Sequence, residues 1–205
     1  MDVSVWLALI VLFFSGGLTP GPAVMLVVSA SLKYGVKPAL LPALGISTAN
    51  LIYITLAVGG AASVALAFPK VLLALKIAGV CFILWLAVQL VQSGTRDLRG
   101  AEVIKVGKAK LFGSGVALQL ANPNALVFFG LLLPSYLSAD QAVIPQALII
   151  MATVTVTEMF GLTVYAVLAN AMAQRFSDPS FARKFNIGAA TLMVASAVYA
   201  VWSTS

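Results

Sequence analysis

Apolar runs of about 20 residues or more recur along this chain, and proline breaks two of them near their middles. The first break is Thr19-Pro20-Gly21-Pro22 and the second is Asn122-Pro123-Asn124. In hydrocarbon every backbone N–H and C=O needs a partner inside the protein, so an apolar run of this length reads as a helix. A proline removes one donor and frees the carbonyl four residues earlier. Such a break is tolerated where the backbone lines a cavity or contacts another part of the protein. A matched pair of breaks in corresponding positions of two halves points to the substrate site of a secondary transporter.

The rest of the sequence agrees with a membrane protein. The 205 residues are 61% hydrophobic and 9% charged, and the charges lie almost entirely between the apolar runs, where they cannot cover a globular surface. Six spans are expected, at about 3–31, 38–67, 71–91, 111–137, 143–173 and 185–202. The polar loop 93–110, with Gly94, Gly100 and Gly107, separates three spans from three. An odd number per half makes the second half enter the membrane from the opposite side. The expected fold is therefore an all-α polytopic membrane protein: two inverted three-helix repeats (about 1–92 and 111–205) forming a single transporter domain, with broken first and fourth helices.

Basic residues set the orientation. Ten of the twelve follow spans one, three and five: Lys33, Lys37, Arg96, Arg99, Lys105, Lys108, Lys110, Arg175, Arg183 and Lys184. Lys70 alone falls in an opposite loop, and Lys76 lies where it can snorkel outward. The positive-inside rule then places both termini on the periplasmic side. Trp6, Tyr136, Tyr199 and Trp202 fall near outer ends of spans, as interfacial anchors do. The first span carries Asp2 and no basic residue, and it continues past the prolines, unlike a cleaved leader.

The net charge of +6 calls for no nucleic acid, because a basic loop lacking interleaved aromatics reads as a topology signal with attraction for lipid headgroups. The single cysteine, Cys81, excludes an internal disulfide and a clustered thiolate site, and the absence of histidine excludes a His-based relay or metal site. No cofactor is expected. Neither paired carboxylates nor a nucleophile motif suggest an enzyme.

The breaks carry the expected binding chemistry. A short helix restarting inside the membrane leaves N–H donors at Ala23, Val24 and Met25, and at Asn124, Ala125 and Leu126. These suit a carboxylate. Asn122 is placed as an N-cap that could satisfy one donor itself. Carbonyls near Gly16, Leu18 and Gln119 could accept from an ammonium, so the two polarities together suit a zwitterion. The alternative is a pair of kinks packed against neighbouring helices, with Gly17 and Gly21 allowing close approach.

Glu158 stands near the centre of span five, where a carboxylate costs at least roughly 2.5 kcal/mol and function is the default reading. Thr155, Gly161 and Tyr165 share its face. It could carry protons, hold a substrate ammonium, or be a neutral hydrogen-bonded structural acid. Ser47, Asn50 and Tyr53 form the comparable stripe on span two, with Asn50 either orienting substrate or bonding across helices. Thr48, Thr55, Thr153 and Thr157 are weaker candidates, since threonine often bonds its own helix.

At these residues the chain resembles the LysE/RhtB family of bacterial amino-acid exporters. The resemblance rests on Thr19-Pro20-Gly21-Pro22 followed by Ser31-Leu32-Lys33-Tyr34-Gly35, on Gln119-Leu120-Ala121-Asn122-Pro123-Asn124 running into Ala125-Leu126-Val127-Phe128-Phe129, and on Lys184-Phe185-Asn186-Ile187-Gly188-Ala189-Ala190. It covers essentially the whole length. It implies a multi-pass protein of the bacterial inner membrane that moves amino acids or close derivatives outward, driven by protons as an antiport. The family often has an acid on the second helix, where this chain has Gly45-Ile46-Ser47-Thr48-Ala49-Asn50, and commonly Asn-Pro-Lys, where Asn124 replaces the lysine. Fewer charges favour a neutral substrate.

The candidate substrate-binding residues are thus Thr19, Pro20, Gly21, Pro22, Ala23, Asn50, Gln119, Asn122, Pro123 and Asn124, with Glu158 as the proton-coupling residue. Metal ions are a poor alternative solute, because membrane-buried carboxylates and thiols are scarce. A membrane scaffold or partner subunit, with both breaks serving helix packing, is the reading from a different class. Small transporters often form homo-oligomers, and Gly17–Gly21 or Gly59-Gly60-Ala61-Ala62-Ser63 could serve internal packing or dimerisation.

Overall fold

A computed structural model of the chain describes residues 2–18, 21–60, 107–122, 133–138, 140–173, 175 and 178–202, with single positions between 74 and 91 and at 125, 128 and 129. Thr19, Pro20, Lys70, Lys76, Arg96, Arg99, Lys105, Pro123 and Asn124 lie outside the described residues. Among those described, all regular structure is helical: α1 (Val3–Leu18), α2 (Pro22–Tyr34), α3 (Val36–Val58), α4 (Lys108–Leu120), a 3-10 turn (Leu133–Tyr136), α5 (Val143–Ala171) and α6 (Pro179–Trp202). Two of these, α3 and α5, are long and apolar enough to cross a bilayer. Their 23 and 29 residues extend about 35 and 44 Å at the α-helical rise. The single described positions between 74 and 91 are helical as well.

Both proline segments coincide with helix ends. α1 stops at Leu18 and α2 restarts with Pro22 as its first residue, a place where the missing N–H costs nothing. α4 stops at Leu120, Asn122 is not helical, and Ala125 is helical. Other boundaries differ from the hydropathy reading. α3 ends at Val58, where Gly59 and Gly60 form a turn in which Gly60 adopts φ +82°, a conformation that favours glycine; residues 61–67 of the expected span lie outside the described residues. α6 starts six residues before the expected span: Asp178 Oδ1 accepts the Ser180 N–H at 2.8 Å, and Pro179 leads the helix.

Central to the packing is α3, which lies against α2, α4 and α5. Gly35 (φ +87°) alone joins α2 to α3, its N–H returning to the Ser31 carbonyl at 2.8 Å. The α3–α4 crossing is a contact of backbones. A methyl group on Gly115 would collide with the Pro42 carbonyl oxygen and come within 2.8 Å of its carbon. One on Gly45 would collide with the Phe112 carbonyl oxygen and sit 2.9 Å from the Val116 nitrogen. Small residues allow this approach where lipid supplies no hydrophobic drive between helices. Among the described residues, no atom lies within 4 Å of where a methyl group on Gly60, expected as a packing candidate, would sit.

Two buried clusters result. One gathers Val24, Val27 and Val28 of α2, Ala39, Ala43 and Ile46 of α3, and Leu162, Ala166 and Ala169 of α5. The other gathers Leu9, Tyr53, Ile54, Phe129, Leu133, Ile150 and Val154. Large apolar side chains such as Val11, Ile144, Leu148, Val156 and Phe160 point outward, the surface that a membrane-spanning bundle offers to lipid. Trp6, expected as an interfacial anchor, donates its Nε1–H to Thr153 Oγ1 at 3.0 Å and so ties α1 to α5.

Candidate functional site

Between the two clusters the polar stripes of three helices meet. Ser47 and Asn50 are one turn apart on α3, and both are buried. Their backbone groups belong to the helix, so only the side chains need partners. Glu158 supplies them from the middle of α5. Ser47 Oγ donates to Glu158 Oε2 at 2.8 Å, and Asn50 Nδ2 donates to Glu158 Oε1 at 2.8 Å. Asn50 Oδ1 in turn accepts from Nε2 of buried Gln119 on α4 at 2.7 Å. Gln119 Oε1 accepts from Asn122 Nδ2 at 3.2 Å, which carries the relay to the second helix break.

Neutral groups hold this carboxyl. Among the described residues α5 carries no basic side chain, and the lysine of α3 is Lys37, at the other end from Tyr53. Ser47 suits an acid that changes protonation state: its hydroxyl can donate to a carboxylate or accept from a carboxylic acid without moving heavy atoms. Asn50 is less versatile. Its NH₂ group can only donate, so its orientation matters. No buried side-chain nitrogen or oxygen among the described residues lacks a partner.

Tyr53 completes the α3 stripe. Its hydroxyl donates to the Leu120 carbonyl at 2.8 Å, satisfying an acceptor orphaned where α4 ends. Its ring stacks on Phe129 at 5.9 Å, and Phe129 also meets Phe13 at 6.4 Å and Phe128 at 5.1 Å. Tyr136 packs against the same cluster.

The predicted site residues divide into two groups. Asn50, Gln119, Asn122 and Glu158 are joined in one relay. Gly21, Pro22 and Ala23 are not hydrogen-bonded into it; Pro22 is buried, and Ala23 packs against the cluster that includes Val24 and Ala166. Two details of the expectation need correction. The Met25 N–H is not free, because it reaches the Gly21 carbonyl at 3.0 Å across the first turn of α2. The Gln119 carbonyl is not free either, since the turn ending α4 brings the Asn122 N–H to it at 3.1 Å. Gln119 enters the site through its side chain instead. Its signal in the sequence is a long amide in an apolar helix, a group that needs a partner. Thr48, Thr55, Thr153 and Thr157 each bond the carbonyl four residues back in their own helix.

The sequence model of the LysE type translocator family matches residues 14–204. The chain belongs to this family. Among its relatives is a homoserine/homoserine lactone efflux protein of Salmonella typhimurium, 28% identical over 185 residues that make up 88% of each chain. An uncharacterized membrane protein of Vibrio cholerae is 26% identical over 193 residues, 91% of each chain. The chemotactic transduction protein ChpE of Pseudomonas aeruginosa is 28% identical over 130 residues, 63% of this chain and 64% of its own. No solved structure gives a significant match. In this LysE type translocator Ser47 and Asn50 of α3 meet Glu158, so the relay holds one carboxyl among neutral partners.

Proposed function

We propose that this translocator exports a neutral amino acid or close derivative, of the size and polarity of homoserine, from the cytoplasm in exchange for a proton carried by Glu158. The observation that carries the reading is the contact of one mid-helix carboxyl in α5 with Ser47 and Asn50 of α3, 2.8 Å each, continued to the second break through Gln119. An acid bonded across helices can bias how those helices pack as its proton comes and goes. The name of the Salmonella typhimurium relative supports a small hydroxylated amino acid as cargo. The single carboxyl favours a neutral substrate, because a second cationic centre would find no counter-charge in the relay.

The architecture proposed with it has six spans in two inverted three-helix halves, both termini on the periplasmic face of a bacterial inner membrane, and a transporter rather than an enzyme. Helix ends at both proline segments support paired breaks. The test is efflux from proteoliposomes preloaded with labelled homoserine and a panel of other amino acids, with and without an inward proton gradient. Gradient-dependent loss of homoserine or another neutral amino acid is the expected result. Absence of flux for every solute, from inserted protein, would overturn the reading. A second reading, a membrane partner subunit that moves no solute, draws on the relative named as a chemotactic transduction protein. It predicts a stable complex in mild detergent and no flux.

A further inference from the structure

Exchange of a substrate for a proton requires the two sites to communicate, and the side chain of Gln119 lies between them. We propose that Gln119 is the positioning residue that links the second helix break to Glu158; this rests on the exchange reading above. Its amide is buried, and its two ends are engaged in opposite directions: Nε2 donates to Asn50, and Oε1 accepts from Asn122. The relay consequently has a polarity. Asn122 donates to Gln119, Gln119 donates to Asn50, and Asn50 donates to Glu158. Every NH₂ group points towards the acid.

That polarity matches one protonation state better than the other. An ionised carboxyl needs a donor at Oε1, and the relay delivers one. Were the Asn50 amide reversed, Oδ1 would face Oε1, which is favourable only when that oxygen carries the proton. Gln119 holds Asn50 in the first orientation. Gln119 is also the last residue but one of α4, with its own carbonyl taking the Asn122 N–H at 3.1 Å. An ionised Glu158 therefore favours the orientation in which Asn122 donates to Gln119 at the break, and a proton on Oε1, the oxygen that faces Asn50, favours the reversed amides of Asn50 and then Gln119.

In the cycle, Glu158 takes one proton from the outer compartment as substrate leaves the break, and returns it to the cytoplasm before the next substrate binds. No bond to substrate forms. Linkage makes the effect reciprocal, so substrate at the break favours the form of the relay that the ionised acid favours. Other titratable groups on the described elements packed around Glu158 are Tyr165 on its own helix, Tyr53 and Lys37 on α3, and Lys33 and Tyr34 near the end of α2. Lys108 and Lys110 stand at the start of α4. None of these donates to the carboxyl, whose partners are Ser47 and Asn50.

The experiment measures protons moved per homoserine in vesicles carrying a pH-sensitive dye, for the wild type, Gln119→Met and Gln119→Glu. Methionine keeps the length without either hydrogen bond; glutamate keeps the shape but, when ionised, has no donor for Asn50. Whatever homoserine flux persists in the variants is expected to move fewer protons per molecule by about fivefold or more, the range of ordinary coupling energies. An unchanged ratio would overturn the proposal. So would complete loss of homoserine flux in both variants while they still insert, since Gln119 would then be part of the substrate site itself. No flux in the wild type would count against the exchange reading instead.

Discussion

The two halves of α3 are held in different ways. Towards its start, Pro42 and Gly45 touch α4 backbone to backbone, among alanines and valines that fill the surrounding cluster. Towards its end, Tyr53 meets Phe129, and Phe13 and Phe128 close around that pair. A crossing made of backbone cannot be loosened by turning a side chain; only whole helices can move there. A cluster of rings can rearrange about its χ angles. The polar relay of Ser47, Asn50, Gln119 and Glu158 lies between the two. If the halves rock against each other, the glycine crossing is the pivot and the rings are the part that yields.

The most severe way to break this comparison is Gly115→Leu. Its side chain would have to enter the space of Pro42, and overpacking against atoms that cannot move away costs about 3 kcal/mol or more. We expect little folded protein, seen as lost monodispersity and a lowered unfolding temperature in detergent. Wild-type stability in this variant would show that the helices do not touch there. Glu158→Gln tests the middle and leaves both ends alone. Glutamine has nearly the same shape, so insertion and unfolding temperature should change little. Proton-driven homoserine efflux should fall by about fivefold to a hundredfold, the scale of ordinary coupling energies. Full activity would remove Glu158 from the mechanism.

At the other end of α3, Phe129→Leu keeps an apolar side chain and loses the ring contacts with Tyr53, Phe13 and Phe128. Aromatic pairs contribute about 1 kcal/mol beyond their buried area, so a modest fall in unfolding temperature is expected. Efflux should change in rate but keep its dependence on the proton gradient. A loss of stability as large as that of Gly115→Leu would erase the distinction between the two ends.

The features legible in the sequence are those that break a rule by themselves. A proline inside an apolar run and a carboxyl at mid-span violate the demands of hydrocarbon whatever surrounds them, so the ends of α1 and α4 and the need of Glu158 for polar partners could be read directly. Asn50 stood out for the same reason, but its bond to Glu158, across 108 residues of sequence, could not be. Pairing depends on how helices rotate against each other, and helices as uniformly apolar as α3 and α5 carry little amphipathic signal to fix that rotation. Gly45 and Gly115 were invisible for a related reason: a glycine in an apolar helix looks the same whether it faces lipid or another backbone. The start of α6 was missed because Asp178-Pro179-Ser180 is a capping signal outside the apolar run, and hydropathy marks only the run.

The finest test separates the two roles of Tyr53. Its ring belongs to the aromatic cluster, whereas its hydroxyl reaches the Leu120 carbonyl at the end of α4, one residue after Gln119. Tyr53→Phe removes only the hydroxyl. Interhelical hydrogen bonds inside membranes average roughly 0.6 kcal/mol, so the unfolding temperature should drop by no more than a degree or two. The Leu120 carbonyl loses its donor from α3, and the end of α4 gains freedom beside the second break. If the rings alone hold this end of α3, efflux and its proton dependence should stay near wild type. If the hydroxyl also steadies the end of α4 that carries Gln119, protons moved per homoserine should fall while the unfolding temperature barely moves. That split would extend the polar relay by one contact and place Tyr53 on the boundary between the part that moves and the part that couples.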